Sequence, residues 1–122
     1  MKSHSRDPKK RLDEREKAFE AKYQLDEAIV FKAGVRRAKL LGLWVAEKLG
    51  LQGDEAAAYA RSAVEADFAD AGHAVLLAKL RDDLVARGHL AEADGLIVEM
   101  DRLAEIARQQ VTAEANSVKP AG

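Results

Sequence analysis

Apolar residues recur every three to four positions along most of the chain, which is the spacing of amphipathic helices. No proline interrupts the sequence between Leu12 and Leu49, and Gly50 follows directly. Acidic residues near the start of this stretch complement the free amides of a helix N-terminus, and a glycine after a terminal lysine commonly ends a helix. The pattern therefore predicts one long first helix over residues 12–49.

Three shorter helices are predicted after Gly50. Gly53 and Asp54 provide a turn and an N-cap for a helix that Gly72 ends. A third helix is expected over residues 73–87, followed by Gly88, and a fourth begins near Glu92 or Asp94 and frays toward the C-terminus. Because the links are only a few residues long, we predict antiparallel neighbours in a small all-α, four-helix bundle.

The apolar periodicity also predicts which residues form the core and which face solvent. The predicted core positions of the three shorter helices are Ala60, Val64 and Phe68; Val75, Leu76, Leu77, Leu80 and Leu84; and Ile97, Met100, Leu103, Ala104, Ala107 and Val111. On the third helix, Lys79, Arg81, Asp82 and Asp83 are predicted to form the solvated outer face.

The first helix is too long to pack along its whole length. At about 1.5 Å per residue it would extend roughly 55 Å, about twice the length of its partners. Its apolar density is high around Leu40–Ala46 and low over Leu12–Lys22, so the N-terminal end should project. Residues 1–11 are expected to be disordered. We divide the chain into a flexible segment 1–22, a bundle 23–116 and a disordered tail 117–122.

Composition and charge narrow the functional classes. The 122 residues include no cysteine, only 5% aromatic residues and 34% charged residues, which favours a helical protein without disulfides or thiolate chemistry. Residues 1–40 carry 12 Lys and Arg against 7 Asp and Glu, a net charge of +5; the remainder carries 8 and 14, a net charge of −6. The N-terminal part is therefore expected to meet a partner differently from the rest of the chain. No signal-peptide core is apparent, so we expect a cytoplasmic protein.

Motifs for catalysis or metal binding are not found. The chain has no phosphate-binding glycine loop and no serine in a nucleophile elbow. His73 and His89 each lie beside a glycine at a predicted helix boundary, where a capping or solvent-facing role is favoured over metal binding. Trp44 is expected to anchor the core, and Arg36, Arg37 and Lys39 to line the solvent side of the helix, with phosphate binding as the alternative.

The basic N-terminal segment allows three interpretations. Acidic residues alternate with the bases, which disfavours binding to nucleic acid. Phe19 and Tyr23 form too small an apolar face for binding or insertion at a membrane surface. A mixed-charge helix that docks in a protein groove through a few apolar anchors is favoured.

Several segments resemble the zeta subunit family of bacterial F-type ATP synthases, small inhibitors of ATP hydrolysis. The resemblance extends over roughly residues 12–107 and is most specific over Arg36–Leu51. The segments that carry it are Asp13–Tyr23, Phe31–Ala33, Arg36–Trp44, Glu47–Leu51, Tyr59–Ala60 and Ala66–Phe68. The chain departs from the family's pattern in its basic stretch Ser3–Arg11 and in Leu12, where the family commonly has phenylalanine.

The resemblance implies a non-enzymatic regulatory subunit. Its N-terminal segment would insert into a catalytic α/β interface of the ATP synthase head, against the central shaft, and stop rotation in the direction of hydrolysis. The residues expected to bind the partner are Asp13, Glu14, Arg15, Lys17, Phe19, Lys22 and Tyr23. No cofactor is required, but ADP or ATP is implied as a regulatory ligand, for which Arg36, Arg37 and Trp44 are candidates. The alternative is an adenine-nucleotide-sensing bundle that regulates another protein.

Overall fold

A computed structural model of the chain describes the backbone of residues 8–70 and 72–117 and the side chains of residues 26–70 and 72–117. The described part is all-α, with helices and connecting turns and no strand. In chain order the helices are α1 (Pro8–Lys48), α2 (Gly53–Phe68), α3 (Ala74–Ala86), α4 (Leu90–Asp94) and α5 (Leu96–Ser117). The predicted all-α fold with a long first helix is confirmed.

The first helix begins earlier than predicted. It starts at Pro8, where a proline fits well because the first helical residue has no N–H bond to make and needs the φ that the ring imposes. Residues 8–11 are thus helical, whereas the sequence predicted disorder for them; residues 1–7 lie outside the described part. The predicted end is confirmed, because Gly50 has a φ of +78° and donates to Glu47 O while Leu51 donates to Ala46 O.

The predicted single fourth helix is wrong. Leu90–Asp94 forms the short helix α4, and α5 begins at Leu96. Gly95 separates them with φ −90° and ψ 3°, and its N–H still bonds to Ala91 O. The second helix also ends before the predicted Gly72, at Phe68, and His73 takes the positive φ of 65° in the turn that follows.

The core lies between the C-terminal half of α1 and the helices that pack around it. It is formed entirely by apolar side chains among the described residues. Gly42 of α1 is buried against α2, where an added Cβ would lie 2.8 Å from the Ala63 Cβ and 2.9 Å from the Ala60 Cα. The buried cluster comprises Ala38, Leu41, Val45, Ala63, Leu76, Leu80, Leu84, Ala93, Leu96 and Leu103.

Three of the predicted core residues are exposed instead. Phe68 is 63% exposed, Val75 45% and Ile97 61%. Each lies at or near a helix end, where the neighbouring helix no longer covers the apolar stripe. Periodicity identifies a helix face, but the extent of the neighbouring helix decides how much of that face is covered.

The predicted outer face of α3 is also partly wrong. Asp83 accepts hydrogen bonds from the Tyr59 hydroxyl of α2 at 2.6 Å and from the Lys79 ammonium at 3.1 Å. The Lys79 nitrogen lies 4.9 Å from the centre of the Tyr59 ring. Burial and the bond to Asp83 raise the pKa of the Tyr59 hydroxyl. This partly buried group joins α2 to α3, and only Arg81 and Asp82 remain fully on the solvent side.

Candidate functional site

The point at which α1 leaves the bundle is set by its pairing with α5. The Arg36 guanidinium donates to Gln110 Oε1 and to Glu114 Oε1, both at 2.8 Å. Since the helices run antiparallel and α5 ends three residues later at Ser117, its end lies opposite about residue 30 of α1. The bond to Arg36, with further attraction from Lys32 and Lys39, lowers the pKa of the Glu114 carboxyl.

The end of α2 lies at the same level. The rings of Phe31 in α1 and Phe68 at the end of α2 have their centres 6.1 Å apart. Both neighbours of α1 therefore stop near residue 30, while α1 itself continues back to Pro8. We call the helical stretch Pro8–Leu25 the arm; its 18 residues extend about 27 Å.

Burial along α1 falls steeply toward the arm. Leu41 and Val45 are fully buried and Ala38 is 1% exposed, whereas Phe31 is 61% and Val30 71% exposed. One continuous helix thus has one end held by the core, and its burial decreases toward the other end as far as the described side chains extend. Tertiary packing supplies most helical stability in proteins, so the two ends differ in what holds them.

An apolar groove lies at the base of the arm. It encloses about 680 Å³ between α1, the end of α2 and α5. Its walls combine exposed apolar side chains with a few charges. The groove, which we call the base groove, is lined by Asp26, Ile29, Val30, Phe31, Ala33, Gly34, Val35, Arg37, Asp67, Phe68, Ala104, Arg108 and Thr112.

The residues predicted to bind the partner all belong to the helical backbone of α1. Phe19 and Tyr23 are four residues apart in the arm, and the other five lie within it or between them: Asp13, Glu14, Arg15, Lys17 and Lys22. Their side chains lie outside the described part of the chain. Their role in binding stays a prediction.

The three residues considered for a nucleotide site point to different neighbours. Arg36 is bonded to α5, and the Arg37 guanidinium contacts His73 Nε2 at 2.9 Å. Trp44 is partly buried against the core, with the Lys48 ammonium 5.4 Å from its ring centre. The base groove is lined by Arg37 but by neither of the other two, and a smaller cavity between α1 and α5 is lined by Arg36 alone of the three. A regulatory nucleotide at these residues stays a prediction.

One polar cluster was missed by the sequence reasoning. His73 bridges Arg37 of α1 and Asp67 of α2, its Nδ1 lying 2.6 Å from Asp67 Oδ1. His73 was predicted to have a capping or solvent-facing role; it occupies the N-cap position of α3, but its side chain makes no capping bond. Asp70 makes that bond instead, accepting from the N–H of Ala74 at 3.0 Å and of Gly72 at 3.1 Å. The sequence contained all these residues, but no pattern brings Arg37 to His73.

The described residues offer no catalytic or metal-binding constellation. No group of three or more His, Asp or Glu side chains among them is placed to hold a metal ion. Nor does any described helix contain an apolar stretch long enough to cross a bilayer. What remains is a helix that extends beyond its bundle, with an apolar groove and a polar cluster at its base.

Comparison of the sequence with known protein families gives a match. The family model of ATPase inhibitor subunit zeta matches residues 9–110. This chain belongs to the ATPase inhibitor subunit zeta family. The match includes all of the arm except Pro8, every lining residue of the base groove except Thr112, and the whole buried cluster. It confirms the predicted family. No curated protein and no solved structure matches the chain.

Membership in the zeta family indicates the general role of the chain. The family name describes a subunit that inhibits an ATPase, which implies a regulatory role for the chain. The match begins only one residue after the first residue of α1. The arm is therefore part of the family's domain and not an appendage to it.

Proposed function

We propose that this chain is a non-enzymatic subunit that inhibits ATP hydrolysis by F-type ATP synthase through insertion of its N-terminal segment into a catalytic interface. The observation that supports this most is the geometry of α1. Its C-terminal half is buried in the bundle, and its arm extends about 27 Å past the ends of α2 and α5. Such a helix can enter a cleft while the bundle stays outside.

The composition of the arm suits a binding segment. A helix docked in a protein groove uses a few apolar anchors three or four residues apart, with charged groups around them. Phe19 and Tyr23 have that spacing, and Arg15 and Lys22 lie within one turn of them. We assign the first pair as anchors and the second pair as polar contacts to the catalytic head. Asp13, Glu14 and Lys17 belong to the same binding segment.

The bundle serves as the scaffold of the arm. A helix whose base is fixed loses less conformational freedom on binding than a free peptide does, which strengthens association. The fixed base consists of the buried residues from Ala38 onward and the bonds from Arg36 to α5. In this role the chain works at the α, β and central-shaft subunits of the head, peripheral to the membrane.

Truncation tests the assignment of the arm. Deletion of residues 1–22 is expected to abolish inhibition of ATP hydrolysis by the purified ATP synthase head, while the bundle keeps its helical circular dichroism. Full-length Phe19→Ala/Tyr23→Ala protein should inhibit at least tenfold more weakly, since loss of two anchors typically weakens binding by that much or more.

The matched control is Arg81→Ala, a change to an exposed residue of α3 whose ion-pair partner is Asp94 of α4. It should inhibit as the wild type does. Undiminished inhibition by the truncated chain would refute the assignment of the arm. Equal loss of inhibition in Arg81→Ala would show that the effect is not specific to the arm.

A further inference from the structure

The polar cluster at the base of the arm has a geometry that allows only one proton arrangement. A guanidinium has donors and no acceptor, so His73 Nε2, 2.9 Å from Arg37 Nη2, must accept a hydrogen bond. The single proton of a neutral imidazole then lies on Nδ1, which donates to Asp67 Oδ1 at 2.6 Å. In this arrangement Arg37 donates to His73, His73 donates to Asp67, and the His73 ring is neutral.

A second proton on His73 would oppose only one of these two contacts. It would occupy Nε2, so that two donors and two positive charges would face each other between His73 and Arg37. The contact with Asp67 would be retained and strengthened, because an imidazolium donating to a carboxylate is a charge-assisted bond. Protonation therefore separates α1 from His73 and leaves His73 attached to α2.

The charged groups around His73 do not replace the lost contact. Asp70, in the turn before α3, is engaged by the N–H groups of Gly72 and Ala74, which lower the pKa of its carboxyl and keep it anionic where histidine titrates. On α5, Arg108 shares the base groove with Arg37 and Asp67, but it is paired with Glu105. Asp67 and Asp70 both attract the imidazolium, and Arg37 is the cation in direct contact with it.

The contact with His73 is the hydrogen bond that the structure gives the Arg37 guanidinium. Its Nε is buried and has no hydrogen-bond partner among the described residues. An unpaired buried donor is unfavourable, so a movement that brings this nitrogen to water is favoured once the bond to His73 is lost. Arg37 also lies one residue before Ala38, the first fully buried position of α1.

We propose that His73 is a proton-operated latch at the base of the arm. When neutral, it holds Arg37 of α1 against the corner between α2 and α3; when protonated, it releases Arg37 toward the base groove and keeps its bond to Asp67. Histidine is the side chain that changes charge between pH 5 and 8, so the latch responds to mild acidification.

Nuclear magnetic resonance of the full chain labelled with ¹⁵N tests the latch, because the sequence contains only three histidines. At pH 7.5 the His73 ring should show a protonated Nδ1 and an unprotonated Nε2. As pH falls to 5, its second protonation should coincide with shifts of the Arg37 side-chain signals. The opposite tautomer at pH 7.5, or Arg37 signals that do not follow the His73 titration, would overturn the proposal.

Two variants and a control make the nuclear magnetic resonance test specific to His73 and Arg37. Asparagine tolerates a positive φ, so His73→Asn keeps the turn and should abolish the pH-dependent shift of Arg37. Arg37→Gln removes the repelling charge, so the backbone amide signals around position 37 should no longer shift between pH 7.5 and pH 5. His89→Gln, at the other histidine in the described part, should change neither result. Persistence of the Arg37 shift in His73→Asn would contradict the latch.

The effect of the latch on inhibition rests on the proposed function. The arm continues the helix that carries Arg37, so the wild type should inhibit hydrolysis several-fold more weakly at pH 6 than at pH 7.5, beyond any change seen with His73→Asn. Identical pH dependence of the two proteins would remove the link to inhibition. Failure of both proteins to inhibit at either pH would instead refute the proposed function.

Discussion

The two halves of α1 show how one unbroken helix can serve two purposes. From Ala38 to Lys48, small and large apolar residues alternate with few charges, and α2 and α5 cover them. From Pro8 to Leu25, charged residues dominate, and the neighbouring helices end before this stretch. The backbone conformation is the same in both halves. What differs is the helices alongside: α2 and α5 flank the half from Ala38 to Lys48 and end before the half from Pro8 to Leu25.

The comparison shows where binding capacity lies in this molecule. A helix end without support from its own fold can change position, or lose and regain helicity, at little free-energy cost. Such a segment is suited to fit into another protein. The buried half cannot move in this way, because every displacement exposes core residues to water.

The largest expected contrast comes from shortening one apolar side chain in each half. Leu41→Ala removes a fully buried side chain and should lower the free energy of unfolding by about 2–5 kcal/mol. Phe19→Ala in the arm should change it by less than about 0.5 kcal/mol. Urea denaturation followed by circular dichroism measures both. A clear loss of stability in Phe19→Ala would mean that the arm packs against its own bundle.

Two glycines of α1 give a second matched pair. Gly42→Ala places a Cβ within 3 Å of α2 atoms and should lower the free energy of unfolding by about 1–3 kcal/mol. At Gly34 no atom beyond the nearby backbone of α1 itself lies within 4 Å of an added Cβ, so Gly34→Ala should raise stability by about 0.5–1 kcal/mol. The midpoints of thermal unfolding should move in opposite directions. Equal effects at the two sites would contradict the close contact at Gly42.

The smallest expected effect concerns the ion pair between Arg36 and Glu114, which lies where α1 leaves the bundle. The folded state lowers the pKa of Glu114, so this carboxylate stabilises the protein above about pH 4.5 and the contribution is lost as pH falls through the lowered pKa. Wild type should therefore be more stable than Glu114→Gln at pH 7, and the difference should shrink at pH 3. Denaturation curves at the two pH values measure this.

The control for the boundary pairing is Glu65→Gln, a change to an exposed glutamate of α2 that is not one of the bonding partners of Arg36. At pH 7 its free energy of unfolding should differ from that of the wild type by much less than that of Glu114→Gln does. A Glu114→Gln protein that unfolds like the wild type at every pH would show that the Arg36 pairing does not hold the boundary.

Much of the fold could be predicted from local patterns. Apolar periodicity and helix-ending glycines predict the long helix with its end at Gly50 and the third helix with its end at Gly88. The length of α1 predicts that it extends beyond the bundle. The break at Gly95 could not be predicted, since a glycine within a helical pattern is usually tolerated. The start at Pro8 was missed because the charged segment was expected to be disordered.

The candidate site was only partly predictable. The binding role of the arm came from its composition and its resemblance to a family, and it still awaits a test. The base groove and the His73 cluster were not foreseen, because each combines residues from helices that are far apart in sequence: Phe31 with Phe68, and Arg37 with Asp67 and His73.

The sequence by itself determined that this chain is helical, where most of its helices stop, and that one helix exceeds the others in length. These properties depend on interactions between residues a few positions apart, which any stretch of chain carries with it. The tertiary structure decided that Phe68 and Ile97 face solvent, that Asp83 meets Tyr59 and that Arg37 meets His73. Such contacts depend on the register and ends of packed helices, and these result only from the way the whole core fills its space.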